Sequence, residues 1–572
     1  MLRNYVGLAC TPHDSAIAIV DSKGEVLFAE ATERFIQLKR GWNVPPDNML
    51  QVKELLEKHC EKGADLVISL TWGKKALRFI KVFHPFVKQY AKRSSPHSTY
   101  LMISNLIHSL IASTSQAGNN LKVWFAEINP SSTITKRVYD HHLTHAAAAC
   151  YSSPFKEAVC AVVDGYGEGS STGFYRYRDG KITHLRGIKP SRRVGASLGT
   201  FYACLCRACG FSPIKGEEWK VMGLAPYGKF DQNIYSILRP MIKVKNCRLV
   251  KGANLKSGFS NIHNPKRSSG ESHLTSADLA FTGQQIFCEI FQELLGDLYN
   301  LKISENLVLT GGCVLNSSWN GMILEKTAFK DLFIFSAPAD DGNAIGAALL
   351  AYYEDNPPRS VRTQIRLPYL GEGISRSTLK KLTEFGHMKN SLRKGEKIHE
   401  RAAALIAEGK IIGWMQGRAE FGPRALGNRS ILADPRNPEI KTLLNTKIKN
   451  RETFRPFAPS ILHEYGHEYF ENYQESPYME RTFRFKKDVI DKVPGVVHVD
   501  GTGRLQTVKR MWNEKFYDLI ASFNQLTGIP MVLNTSFNVM GKPIIHSVED
   551  AIAVFFTTGL DALVIGDQLF EK

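Results

Sequence analysis

No apolar run in this 572-residue chain reaches the roughly 18–20 residues that cross a bilayer. That argues against a membrane-spanning helix. The opening stretch, MLRNYVGLACTPHDS, turns polar too soon for a secretory leader and reads as a first β-strand. Ten cysteines are few and scattered, with Cys204 and Cys206 the closest two. They point to reduced, mostly buried thiols in a cytoplasmic protein, not to a disulfide scaffold. Acidic residues are also short: 55 Asp and Glu stand against 73 Lys and Arg, a net charge of +18. Such an excess suits a nucleic-acid or membrane surface, or pockets for phosphate-bearing substrates.

What is present begins with an internal repeat. Residues 4–30 read as strand, polar loop, strand, tight turn, strand (NYVGLAC, TPHDS, AIAIVD, SKGE, VLFAEA). Residues 158–187 read the same way (AVCAVVD, GYGEGSS, TGFYRYR, DGK, ITHLRG). Gly24 and Gly180 mark the hairpin turns. The polar loops carry Asp14 in one copy and Asp164, Gly165 and Gly167 in the other. This duplicated start is the pattern of the actin/sugar-kinase/Hsp70 (ASKHA) ATPase fold, whose two polar loops face each other across a phosphate-holding cleft. Residues 277–300 have helical periodicity and lead into the strand NLVLTGG. Residues 352–393 sustain no apolar period and read as an irregular connection. Residues 396–409 then form a helix with Ile398, Ala402, Leu405 and Ile406 on one face, followed by the strand IIGWMQ. The expected layout is an α/β domain over 1–352, a linker over 353–394 and a second α/β domain over 395–572. The basic stretch 72–120 reads as an inserted helical region with a solvated charged face.

Three constellations could carry chemistry. His141 and His145 are four apart, so on a helix both reach one metal ion. The alanines after them favour helix. Asp340, in a loop opening a small-residue helix, is the candidate third ligand. Gly311 and Gly312 follow a strand and precede a helix with Asn316 in its first turn, an arrangement that brings backbone N–H groups to a phosphate. Glu217 and Lys220 stand ahead of another glycine-rich turn. Residues 418–455 hold nine Lys or Arg against four Asp or Glu. Arg418, Arg424, Arg429, Lys449, Arg451 and Arg455 are interleaved there with Gly and Pro. Arginines fixed in this way suit bidentate recognition of a phosphate or a planar carboxylate-like group, with nucleic acid an equal rival. Asn534, Ser536 and Asn538, and His498, Arg504 and Gln506, add further polar contacts.

The segments PHDSA, HHLTHAAAA, VDGYGEG, KVMGLAPYG, TGGCVLNS, QGRAEFGPRALGNRS, FRPFAPS and NTSFN run in order from residue 12 to residue 544. Together they resemble the NodU/CmcH family of O-carbamoyltransferases. The resemblance implies an ASKHA-type domain followed by a YrdC-like α/β domain. The second would bind carbamoyl phosphate and ATP and form a carbamoyl-adenylate. The first would pass the carbamoyl group to a hydroxyl of a small natural product or sugar.

Residue by residue, the resemblance gives His141, His145 and Asp340 to Fe(II), with zinc also admitted by the donor types. It gives His13 and Asp14 to the acceptor loop, with His13 as general base. Asp164, Gly165, Gly167, Glu217, Lys220, Gly311, Gly312 and Asn316 would line the nucleotide and acceptor cleft. Lys449, Arg451, Ser536 and Asn538 match a K-x-R and S-x-N signature. With Arg418, Arg424, Arg455 and Arg504 they would grip carbamoyl phosphate and Mg-ATP. No membrane partner is implied, nucleic acid is disfavoured, and a homodimer is compatible. The rivals are a tRNA threonylcarbamoyl-transferase-like enzyme and a non-catalytic nucleotide- or metal-binding protein. The chain departs from the family at ATERFIQLKRGWN, where Glu33, Arg34 and Phe35 remain but the following basic cluster differs. It departs again in the basic segments 72–120 and 245–275.

Overall fold

The computed structural model describes residues 2–11, 13–72, 115–185, 187–188, 196–255, 258–259, 272–357, 364–386, 388–392 and 395–572. Most of the two basic segments, 73–114 and 260–271, lies outside the described residues.

Strands β1 (Arg3–Ala9), β2 (Ala16–Val20) and β3 (Val26–Ala31) form an antiparallel meander. On the other side of β1, β4 (Asp65–Leu70) and β5 (Ile134–Val138) run parallel to it, giving the order β3-β2-β1-β4-β5. The second copy repeats this layout. Strands β6 (Glu157–Gly167), β7 (Ser170–Arg178) and β8 (Lys181–His184) are the meander. A separate hairpin, β9 (Ile242–Val244) and β10 (Leu249–Lys251), intervenes. Strands β11 (Asn306–Thr310) and β12 (Asp331–Ile334) then continue the sheet in parallel, in the order β8-β7-β6-β11-β12. Strand order and strand sense agree between the copies, so the first domain is a duplicated ASKHA-type unit. At the β7–β8 turn, Asp179 and Gly180 have φ of 47° and 77°, the left-handed pair that a two-residue type I′ hairpin requires.

The two sheets share one core. Two alanine-rich helices, His141–Cys150 and Asn343–Asp355, contribute to it from both copies. Their small residues let backbones close up: a Cβ on Gly346 would overlap the Thr144 carbonyl oxygen, and one on Gly7 the Ala344 carbonyl oxygen. The helix carrying the paired histidines is thereby locked against the helix that follows Asp340.

The second domain is an α/β unit built on eight strands. They are β13 (Ile412–Met415), β14 (Arg429–Ala433), β15 (Ala458–Leu462), β16 (Arg481–Arg484), β17 (Thr502–Val508), β18 (Met531–Ser536), β19 (Ala562–Ile565) and β20 (Gln568–Glu571). Their order is β16-β17-β15-β18-β14-β13-β19-β20. The helices Ile398–Ala407, Glu514–Thr527 and Val548–Thr557 complete its core.

The connection is more ordered than its sequence suggests. A helix, Arg376–Glu384, is capped by Ser375, whose hydroxyl accepts from Thr378 N at 3.3 Å. Its Leu379 and Leu382 pack on the second core. Before it, residues 368–372 are tied to both domains: Ala29 N donates to Leu370 O, and Phe421 N to Pro368 O. Across the joint, side chains address backbone carbonyls. Arg34 donates to Gly422 O at 2.7 Å, Gln37 to Ile544 O at 3.2 Å and Asn320 to Glu480 O at 2.8 Å. The sequence reading passed over one Cys-x-x-Cys pair, Cys206 and Cys209; both are buried in the second-sheet core as free thiols. Among the described residues, no helix is long and apolar enough to cross a membrane.

Candidate functional site

The first cluster is built by three elements. Asp140 caps the His141–Cys150 helix through Leu143 N at 3.0 Å. His141 and His145 then project one turn apart. Asp164 lies in β6, and Asp340 opens the short turn before the Asn343–Asp355 helix. One donor atom from each of the four lies within 4.8 Å of the others. His141 Nε2 is 3.2 Å from Asp164 and 3.6 Å from Asp340; His145 Nε2 is 3.3 Å from Asp340 and 3.9 Å from Asp164. All but Asp340 are buried, and among the described residues His145 Nε2 has no hydrogen-bond partner. Burial opposes a charge on His141, yet the Asp164 hydrogen bond and the Asp340 charge lift it to about 9. Asp164 moves the other way: the histidines hold it well below the usual carboxylate range despite its burial. Two carboxylates converging on two imidazoles form a donor set that could hold a metal ion. His142, beside them, is pushed down to about 4 by burial and by His141.

Asp164 therefore joins the three residues expected as ligands, where the sequence placed it in the nucleotide cleft. Its other oxygen, Oδ1, accepts from Gly165 N at 2.7 Å and Gly312 N at 3.2 Å. The two glycine loops are thus drawn together on one carboxylate. Gly167 must be small, because a Cβ would overlap the His141 ring. Gly311 has φ 103° and backs onto the Val163 carbonyl oxygen. Asn316 is the N-cap of Ser317–Lys326, accepting from Trp319 N at 3.1 Å, and its amide pairs with Gln284.

The loop expected to face the acceptor gathers His13, Asp14, Arg40 and Trp42. His13 Nδ1 is 2.8 Å from Asp14 Oδ2, and Arg40 donates to the same oxygen at 3.1 Å. The Trp42 ring lies against both His13 and Arg40. Although burial raises it, the His13 and Arg40 partners hold Asp14 far below the usual carboxylate range. Arg40 comes from the segment in which the sequence departs from its family. The sequence reading gave it no role, because its geometry rests on the left-handed turn at φ 66°.

The third cluster is cationic. Arg424, Arg451, Arg455 and Arg504 lie close enough that burial, and then mutual repulsion among them, pulls Arg504 well below its ordinary value. Arg455 and Arg504 line a pocket shared with Met222, Tyr227, Ser317 and Ser318 of the first domain. Arg451 donates to Asn445 at 2.6 Å and stacks on Phe457. Lys449, Ser536 and Asn538 do meet, but the ammonium turns into the loop. It donates to Asn538 Oδ1 at 2.8 Å, to Asn538 O at 3.0 Å and to the Ser536 carbonyl.

Two expected contacts are spent elsewhere. Arg418 donates through Nε and Nη2 to the carbonyls of Leu27, Leu370 and Gly371, so it fastens the connection to β3. Lys220 lies between Glu217 and Glu452, at 2.8 and 2.7 Å, bridging the domains where the sequence placed it in a nucleotide cleft. Glu452 and Trp219, which complete that bridge, were not singled out in the sequence. Asn534 and Gln506 bond each other in the second core at 3.0 Å.

The family model described as carbamoyltransferase N-terminus matches residues 4–349, and that described as carbamoyltransferase C-terminus matches residues 403–572. The chain is a carbamoyltransferase of the NodU family. Nodulation protein NolNO of Sinorhizobium fredii is 35% identical, over 98% of this chain and 79% of that protein. Nodulation protein NolO of Bradyrhizobium diazoefficiens is 36% identical, over 76% of this chain and 79% of that one. An uncharacterized protein of Methanocaldococcus jannaschii, MJ1058, is 32% identical over 98% of both chains. Among solved structures, the (R)-2-hydroxyglutaryl-CoA dehydratase component A of Acidaminococcus fermentans aligns with 61% of this carbamoyltransferase and 98% of its own chain, at 12% identity and a TM-score of 0.34.

Proposed function

We propose that this carbamoyltransferase activates carbamoyl phosphate with ATP in its second domain and transfers the carbamoyl group to an acceptor hydroxyl in its first. The observation that carries this reading is the pair Arg455 and Arg504 at a pocket the two domains share, with Arg424 and Arg451 near enough to repel Arg504. Half-buried, mutually repelling guanidinium groups are stabilised when an anion arrives, and ATP and carbamoyl phosphate are both anions. Activation consumes one water and releases phosphate and pyrophosphate, leaving carbamoyl-adenylate. The acceptor hydroxyl oxygen then attacks the carbamoyl carbon, and AMP leaves with the bonding pair.

His13 is the group to take the hydroxyl proton. With Nδ1 donating to Asp14, Nε2 remains an acceptor, and Asp14 steadies the imidazolium that forms. Arg40 keeps Asp14 ionised for that task. His141, His145, Asp164 and Asp340 would hold a divalent metal, with iron or zinc both suited to two imidazoles and two carboxylates. The buried, unbonded Nε2 of His145 fits such an ion. A metal there would supply positive charge to polarise oxygen ligands. The acceptor is a hydroxylated small molecule.

Incubating metal-replete protein with ATP and labelled carbamoyl phosphate, without acceptor, should yield pyrophosphate and carbamoyl-adenylate. Absence of both products would overturn the reading.

A further inference from the structure

Trp219 and Lys220 belong to the first domain, in the helix Glu218–Leu224, yet both address the second. The buried Lys220 ammonium is 2.7 Å from Glu452. The same Glu452 carboxylate lies 3.4 Å from Arg455. Arg455 in turn stacks on the Trp219 ring, 3.8 Å from its centre, and among the described residues its Nε has no hydrogen-bond partner. Glu452 therefore has two claimants, and the nearer comes from the other domain. Burial raises Glu452, but the Lys220 hydrogen bond and charge, and then Arg455, bring it down to about 2.

Without Lys220 the outcome would differ. Glu452 and Arg455 already touch at 3.4 Å through Oε2, and with Oε1 vacated the carboxylate would be free to turn fully onto the guanidinium. A neutralised Arg455 would be a poor anchor for an anionic substrate.

We propose that Trp219 and Lys220 are positioning residues for Arg455: Lys220 holds Oε1 of the Glu452 carboxylate, leaving Arg455 only the long 3.4 Å contact to Oε2, and Trp219 carries the guanidinium at the interdomain pocket. Docking of the first domain thereby arms the anion site of the second. This rests on the reading above, in which Arg455 meets ATP or carbamoyl phosphate.

The test is carbamoyl-phosphate-dependent ATP–pyrophosphate exchange with the full chain. Its absence in the wild type overturns the functional reading, and this inference with it. Given wild-type exchange, Lys220→Met should raise the KM of the anionic substrates by about tenfold, the order of one charge-assisted contact, with a smaller change in kcat. Lys220→Met combined with Glu452→Gln should return KM to within about threefold of wild type, a difference below one tenfold step, because the competitor for Arg455 is gone. Glu452→Gln alone should leave KM at or below the wild-type value. Trp219→Leu should raise KM, and Trp219→Phe, which keeps a ring, should raise it less. If Lys220 merely glues the domains, the double variant will be as impaired as Lys220→Met, and Glu452→Gln will be impaired too. Either result overturns the proposal. Should Lys220→Met fail to fold, Glu452→Gln alone decides the matter.

Discussion

Gly321 lies against Thr482 across the domain joint: a Cβ on Gly321 would overlap the Thr482 carbonyl oxygen. Gly321 is inside the helix Ser317–Lys326, where alanine would ordinarily gain about 1 kcal/mol. Forcing a methyl into a closed contact costs about 1–3 kcal/mol, so the clash should win. Gly321→Ala is expected to lower the midpoint of urea unfolding. A midpoint equal to or above the wild type would show that the joint yields.

Arg418 and Arg504 should separate cleanly under mutation, although the sequence treats them alike. Arg504→Ala removes an uncompensated cation at the pocket. Substrate KM should rise about ten- to hundredfold, the worth of one hydrogen bond to a charged group, and the melting temperature should hold or rise. Arg418→Ala leaves three backbone carbonyls without their donor. Its melting temperature should fall while KM stays near wild type. Paired thermal melts and exchange kinetics check both arms.

A pH dependence follows from His546, which bridges the domains to Glu30 at 3.0 Å. Burial lowers this histidine, but the Glu30 charge and hydrogen bond, then Asp550 and Glu372, raise it above its ordinary value. Its contribution is therefore full below the unfolded value, about 6.5, and is lost as pH rises through the higher folded value. The melting-temperature gap between wild type and His546→Asn should shrink with rising pH across that window. A constant gap would contradict the assignment.

Metal removal gives a further expectation. Chelator-treated protein should melt lower, and Fe(II) should restore it, because binding to the folded state alone adds about 2.7 kcal/mol at a hundredfold excess over Kd. His145→Ala should show no such recovery. Asp164→Asn should also lower metal content measured by elemental analysis. Unchanged content in Asp164→Asn would confine that residue to its loop-tying bonds with Gly165 and Gly312.

The meanders were legible because Gly180 and Gly24 punctuate alternating runs, and the His141–His145 spacing because a helix turn imposes it. What escaped the sequence has definite causes. The helix Arg376–Glu384 offers only Leu379 and Leu382 as an apolar signal, too little to mark a period. Arg418 and Arg424 share one glycine- and proline-rich texture. What divides them is the carbonyls of Leu27 and Leu370, which only the fold brings to Arg418. Asp164 stands beside glycines like a phosphate-loop residue, and its place among the histidines depends on where β6 meets the His141–Cys150 helix. Lys220 looked like a cleft residue because its partner, Glu452, is more than two hundred positions away.

The joint's polar contacts have a consequence for recombination between relatives. Arg34, Gln37, Asn320 and Arg418 all reach across to main-chain oxygen, which every residue type supplies. These four bonds are indifferent to drift in the side chains they dock against. Lys220–Glu452 and Glu30–His546 are not, since each needs a particular residue on both sides. A chimaera joining the front half of one homologue to the back half of another should therefore still assemble. Whether it also works would turn on whether those two pairs were inherited together.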